Sequence, residues 1–264
     1  MRTVHNRTIL LLAAIAIALC TVIAVFGSSY FSRLYFNEAA QRGENTLGLA
    51  VAALRGEMAR YEKLPELIAD HEDIMLLAAN PDDPELVAEV NLYLKEINGL
   101  LESSDIYVMV PDGTTVAASN FDSGTSFVGE NFSYRPYFRD ALDGGLGRFF
   151  ALGTTSLKRG YYFGAPIRLE GGTIAGVVVF KVDVDAIEQS WRGADYEIIV
   201  TDPEGIIFMT GRQDWLYSGL QPLTEERLAR TAETRRYANA PLRDLPVTRS
   251  GYENGLELMD IASG

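Results

Sequence analysis

Apolar residues follow three regimes along the chain. The first is a continuous run. Thr8 to Ser32 carries no charge, and Ile9 to Phe26 is apolar apart from Thr21. A helix rises about 1.5 Å per residue, so a run of this length spans the hydrocarbon core of a bilayer. The second regime is helical spacing. Leu47, Val51, Leu54, Met58 and Tyr61 recur every three or four residues and form one stripe. Pro65 stands where a new helix begins. Asn80-Pro81-Asp82-Asp83-Pro84 then breaks the pattern, with Asp83 placed to N-cap and Pro84 at the first helical position. The helix that follows, over about Pro84 to Glu102, sets Leu86, Val90, Leu94, Ile97 and Leu101 on one face. The spacing therefore predicts a long helix leaving the apolar run, then two shorter ones.

The third regime begins at Asp105 and belongs to strands. Ile106 to Val110, the turn Pro111-Asp112-Gly113 and Thr114 to Ala118 predict a hairpin. Asn120 to Glu130 is polar and reads as a loop. Asn131 to Leu142 reads as a short helix, closed by Asp143-Gly144-Gly145. Gly147 to Thr155, Gly160 to Leu169 and Thr173 to Asp183 are three further strands, the last two joined at Gly171-Gly172. Five strands with helices packed on the sheet make an α+β module. Ile187 to Trp191 ends a connecting helix, and the hairpin pattern then returns. Val-Met-Val-Pro-Asp-Gly-Thr-Thr-Val, from Val108, and Ile-Val-Thr-Asp-Pro-Glu-Gly-Ile-Ile, from Ile199, are two copies of one motif. The second copy runs on into a helix over Thr224 to Arg236. No three-strand set follows it, although Leu256 to Ile261 supplies one strand. The second module is thus expected to be incomplete and the chain a fragment.

Charge and composition set the topology and remove several functions. Arg2 and Arg7 flank the apolar run on its amino side, so that end is expected in the cytoplasm and the remainder outside. A cleaved signal peptide has a shorter apolar core, about 7–15 residues, and an A-x-A-like site. A lipoprotein signal at Cys20 needs a small residue where Leu19 stands. The run is read as an uncleaved anchor. Cys20 is the one cysteine, so the exported part has no disulfide and no cysteine metal site. A net charge of −13 argues against a nucleic-acid partner. The two histidines, His5 and His71, lie far apart and outside the α/β part, which removes a histidine-based metal site or triad. Gly144-Gly145-Leu146-Gly147 lacks the Lys-Ser/Thr of a phosphate loop and reads as a turn. No catalytic or metal residue is assigned.

Binding residues are easier to find. Alternation along Gly147 to Thr155 puts Phe150, Leu152 and Thr154 on one face, and Ser156 continues it, so two hydroxyls point together. Lys181 lies in the apolar strand Gly176 to Val182, where lysine is rare unless paired. It either snorkels to water or meets Asp183, or it faces a pocket and binds an anion. Arg135 sits in Tyr134-Arg135-Pro136-Tyr137-Phe138-Arg139. Its planar fork suits a carboxylate and the tyrosines suit a pocket wall. The alternative there is core aromatics and surface arginines. Arg135, Thr154, Ser156 and Lys181 together fit a ligand with a carboxylate at each end.

The run Asn131-Phe-Ser-Tyr-Arg-Pro-Tyr-Phe-Arg-Asp, with Gly147-Arg-Phe-Phe-Ala-Leu-Gly-Thr-Thr-Ser156 and Arg159-Gly-Tyr-Tyr162, resembles the sensor region of C4-dicarboxylate sensor histidine kinases, the DctB family. The resemblance covers roughly residues 1 to 215. It implies tandem PAS-like (double Cache) modules with antiparallel five-stranded sheets behind a transmembrane helix and a helical stalk. The boundaries are then residues 1–8 for a cytoplasmic N-terminus, 9–29 for the transmembrane helix and 30–104 for the stalk. Residues 105–185 form a membrane-distal ligand-binding module and 186–264 an incomplete membrane-proximal one. It further implies that succinate, fumarate or malate is bound through Arg135, Thr154, Ser156 and Lys181, with Tyr134, Tyr137 and Tyr162 as aromatic neighbours. No cofactor is expected in this chain, and ATP belongs only to a kinase module that it lacks. The expected partners are a second copy in a homodimer, the inner membrane of a bacterium and, through the missing cytoplasmic part, a response regulator. A chemoreceptor, a diguanylate cyclase with the same sensor, and a freestanding carboxylate-binding protein are the alternatives.

Overall fold

The computed structural model of the protein describes residues 2–101, 103–192, 196–238, 240–253 and 256–261. Two compact units divide it: Met1–Leu49 with Val247–Gly264, and Ala50–Pro246. The apolar run and the stripe after it join in one helix, α1 (Arg2–Glu62). Among the described residues this is the one helix long and apolar enough to cross a membrane. Its stripe is buried unevenly. Tyr61 is in the core and Met58 and Leu54 pack against core clusters, whereas Leu47 and Val51 are exposed. The first unit also holds the hairpin β10 (Val247–Glu253) and β11 (Leu256–Ile261), the second of which is the predicted last strand.

Three short helices follow α1 where two were expected: α2 (Leu64–Ala69), α3 (Glu72–Ala79) and α4 (Pro84–Leu101). The extra break is at His71. Its backbone is extended, and its Nδ1 accepts the Asp73 N–H at 3.3 Å, so a histidine caps α3. At α4 the reading holds, with the Asp83 carboxylate accepting from Glu85 N–H at 2.9 Å. Val90 and Leu94 are fully buried.

The sheet has the strands β1 (Asp105–Met109), β2 (Thr115–Ala118), β3 (Gly147–Leu152), β4 (Arg159–Arg168) and β5 (Ile174–Val182). They are antiparallel in the order β2-β1-β5-β4-β3. Alternation sends Ile106, Val108, Val178 and Phe180 into one core with α2, α3 and α4. It sends Tyr107, Met109, Val177, Val179 and Tyr162 into a second core, covered by α5 (Pro136–Leu142) and the loop before it. Helix α5 can approach closely because Gly147 and Gly164 are Cα partners across β3 and β4. The Tyr137 carbonyl lies over both, where a Cβ on either glycine would collide with it. That contact seats the Tyr134–Arg139 motif on the sheet.

After the connecting helix α6 (Asp185–Gln189), the hairpin repeat reappears as β6 (Ile199–Thr201) and β7 (Ile207–Thr210). The two turns are the same in detail. Val110 N–H donates to Thr114 and Gly113 N–H to Val110; Asp202 N–H donates to Ile206 and Gly205 N–H to Asp202. Gly113 and Gly205 both take positive φ, as the turn requires. The rest of this part comprises a 3-10 turn at Gln213–Trp215, the short parallel pair β8 (Ser218–Gly219) and β9 (Arg243–Asp244), and α7 (Glu225–Glu233) between them. Its core joins Phe150 of β3 to Trp191, Ile206, Phe208 and Tyr237, with Phe150 and Phe208 stacked at 3.6 Å.

Candidate ligand-binding site

The second core opens at the carboxyl end of β3. There the chain leaves the sheet in a turn, Gly153 to Lys158, closed by Gly153 N–H to Lys158 (2.9 Å) and Leu157 N–H to Gly153 (3.1 Å). Gly153 is needed because a side chain there would strike the Ser156 hydroxyl. This corrects the expected strand. β3 ends at Leu152, and Phe150 belongs to the core of the second part. Thr154 and Ser156 therefore reach the pocket through the turn rather than by alternation from Phe150.

Around that turn the structure gathers all seven expected residues. Arg135, Tyr137, Thr154, Ser156 and Tyr162 line one pocket, together with Tyr107, Phe127 and Phe132. Tyr134 and Lys181 adjoin it. The Tyr134 hydroxyl bonds to Thr154 Oγ1 at 3.0 Å, and Lys181 Nζ donates to Ser156 Oγ at 2.8 Å. Tyr162 stacks on Tyr137 with ring centroids 5.0 Å apart, and the Tyr137 and Tyr107 hydroxyls meet at 2.7 Å. Burial pushes all three of these phenols well up from their usual range, so they remain hydrogen-bond donors at neutral pH. The space enclosed is about 10 Å³, room for about one water.

The two cations are held differently. Arg135 is buried, with its guanidinium spread over three carbonyls: NH1 donates to Thr234 (3.2 Å) and Arg235 (3.0 Å), NH2 to Leu152 (3.0 Å). It also lies over the Tyr134 and Phe149 rings. Neither surface arginine nor free fork describes it. Lys181 is fully buried, and its stem crosses Gly160, where a Cβ would lie 2.8 Å from Cγ and Cε. It does not snorkel, and the carboxylate it meets is Asp105, at 3.5 Å, rather than Asp183. Burial, with the Lys158 charge adding to it, pushes the ammonium down from its usual range against the pull of Asp105. Asp105, Tyr107, Phe127 and Phe132 escaped the sequence reading. The available signal was alternation along β1, which puts Asp105 and Tyr107 on one face, but that face becomes the pocket only once β1 pairs with β5.

No protein-family model matches the chain. It is 41% identical over 196 residues to the C4-dicarboxylate transport sensor protein DctB of Pseudomonas aeruginosa, across 74% of this chain and 32% of that protein. It is 32% identical over 246 residues to the protein of the same name from Rhizobium meliloti, across 93% of this chain and 39% of that one. The chain thus spans about a third to two fifths of the length of these curated relatives. The crystal structure of the V. cholerae histidine kinase DctB sensor domain matches 84% of this chain and 89% of its own, with a TM-score of 0.77 at 27% identity. This chain is a DctB-like sensor region.

The five-stranded sheet with the helices packed on it accordingly resembles the Cache-like periplasmic fold of this sensor type, and the one helix long and apolar enough among the described residues to span the inner membrane lies at its N-terminal side. The DctB-like region shares that fold more distantly with the ligand-binding domain of the Pseudomonas aeruginosa amino acid chemoreceptor PctC, at a TM-score of 0.51 and 18% identity. Among its described residues no cluster of three or more His, Cys, Asp or Glu side chains is placed to hold a metal.

Proposed function

We propose that residues 105–185 bind a C4-dicarboxylate such as succinate, fumarate or malate. In this reading the chain is the input half of a sensor histidine kinase that adjusts dicarboxylate uptake through a response regulator. The observation that carries it is Lys181: a fully buried ammonium on the pocket face of β5, donating at 2.8 Å to a hydroxyl of the turn that closes the pocket. A buried cation favours an anion as ligand. Arg135 supplies a second cation to the same pocket, and Thr154, Ser156 and the three buried phenols supply donors. Leu47 and Val51, exposed on α1, suit a homodimer in which the same stripe of a second copy covers them.

The test is calorimetric titration of the full chain in detergent with succinate, then of Lys181→Met, which keeps the stem and removes the charge. Saturable binding by the wild type and at least about tenfold weaker binding by the variant, roughly 1.4 kcal/mol, are expected. Equal affinity in a folded Lys181→Met removes this lysine from the site. A folded wild type that ignores all three diacids rules out the ligand class.

A further inference from the structure

The Lys181 ammonium already has an anionic neighbour inside the site. Asp105 opens β1 and is the Cα partner of Lys181 across the β1–β5 ladder. Both side chains stand on the pocket face, Asp105 with Tyr107 and Lys181 with Val179. Asp105 Oδ2 lies 3.5 Å from Nζ and accepts the Ser104 hydroxyl at 3.2 Å. On its other side Nζ donates to Ser156 at 2.8 Å, and the Phe127 ring centroid lies 5.8 Å away. Among the described residues, other charged or titratable groups acting on the pair are Lys158 on both, Asp183 on Lys181, and the Tyr162 phenol, which feels Asp105. The lysine side chain is fully buried and the aspartate side chain is 14% exposed.

A ligand carboxylate that reaches Lys181 therefore joins a carboxylate that is there first. Two carboxyl groups sharing one buried cation do not both stay ionised, and one takes a proton. We propose that Asp105 is the internal counter-ion of the site and a specificity-determining residue, neutralising Lys181 until a ligand carboxylate takes that role and Asp105 takes up a proton from solvent. The inference rests on the dicarboxylate reading above. Burial supports it, because it pushes the Asp105 carboxyl up from its ordinary value by more than Lys181 pulls it down. Asp105 then sets a threshold. A fully charged carboxylate displaces it from Lys181, whereas an uncharged ester or amide of the same shape does not.

The experiment is succinate titration of the full chain in detergent, in buffers of different ionisation enthalpy, at about pH 7.5, where succinate is a dianion. The wild type is expected to take up a measurable fraction of a proton for each succinate bound. Asp105→Asn, which keeps the shape and the Ser104 bond, is expected to take up none and to bind about tenfold more tightly, because Lys181 is no longer neutralised. Proton uptake by the wild type is measured without any variant, so it decides even if Asp105→Asn fails to fold. Succinate binding with no proton uptake, or a folded variant that binds no more tightly than the wild type, overturns the role of Asp105 and leaves the functional reading standing. A folded wild type that binds none of succinate, fumarate and malate overturns both.

Discussion

Gly160 is the point where the Lys181 stem crosses β4. A methyl group there would press on Cγ and Cε of a side chain with no room to retreat. Gly160→Ala is expected to lower stability by about 1–3 kcal/mol, the usual effect of overpacking a filled core. It should weaken succinate binding as well, since the ammonium can no longer reach Ser156. A melting curve and a titration of the same variant check both; unchanged affinity at reduced stability would separate the lysine stem from the ligand. At this scale much of the candidate pocket was legible. A lysine in an apolar strand and an arginine in an aromatic run are conspicuous wherever the chain goes. What stayed hidden was partnership. Asp183 is two residues from Lys181 and was one candidate partner for it, yet Asp105, far away in sequence, is the carboxylate that meets it. Cross-strand register decides that pairing, and register is not a local property of the chain.

Between elements, the joint of β4 with α6 and β7 has its own chemistry. Arg159 bonds to Glu188 at 2.5 and 3.0 Å, to Asp185 at 2.5 Å and to the Phe208 carbonyl at 2.7 Å. Glu188 is fully buried and also accepts from Thr210 N–H and Gln213. Removing one partner of such a pair strands the other: Glu188→Ala is expected to cost about 3–5 kcal/mol, while Arg159→Met with Glu188→Leu costs far less than the two singles together. A double-mutant cycle by thermal melting checks this. The pair also carries a pH signature. Burial alone would raise the Glu188 carboxyl, but Arg159, the Thr210 N–H and Gln213 outweigh it and hold it below its usual value. Its contribution is therefore complete above the ordinary glutamate range and is lost as pH falls through the depressed value. Asp105 acts in the opposite sense. Its carboxyl is raised, so stability declines as pH climbs from the ordinary aspartate range through the raised value. Glu188→Gln should flatten the acid limb and leave the Asp105 limb. The elements themselves were largely legible from period and turn residues, including all five strands of the sheet. The break at His71 was not, because histidine is an uncommon cap, and neither was the early end of β3, because Gly153-Thr154-Thr155 continues a strand pattern while its hydrogen bonds turn back on Lys158.

At the scale of the molecule, the unit Ala50–Pro246 contains all three buried cores, including the joint at Phe150 and Phe208. Residues 50–246 produced without the apolar run are therefore expected to stay in solution and melt cooperatively, while the full chain partitions with membranes. A fragment that melts without cooperativity would show that the cores depend on the part removed. The repeat was visible from end to end, since Pro-x-Gly turns flanked by apolar runs announce themselves twice. That the second copy would clasp the pocket of the first was not visible. The segment after α7 does so through the carbonyls of Thr234, Arg235 and Arg236, and Arg235 itself lies in the left-handed region.

Those carbonyls give Arg135 a second meaning. A guanidinium owns five N–H groups and nothing more. Arg135 spends its NH1 on Thr234 and Arg235 and its NH2 on Leu152, so one planar group ties the pocket wall to a segment about 100 positions further along. A carboxylate that claims any of those hydrogens takes them from the tie. Were the proposed anion to do so, the coupling would be reciprocal: loosening Thr234–Arg235 would strengthen the hold on the anion by the same factor with which the anion loosens that segment.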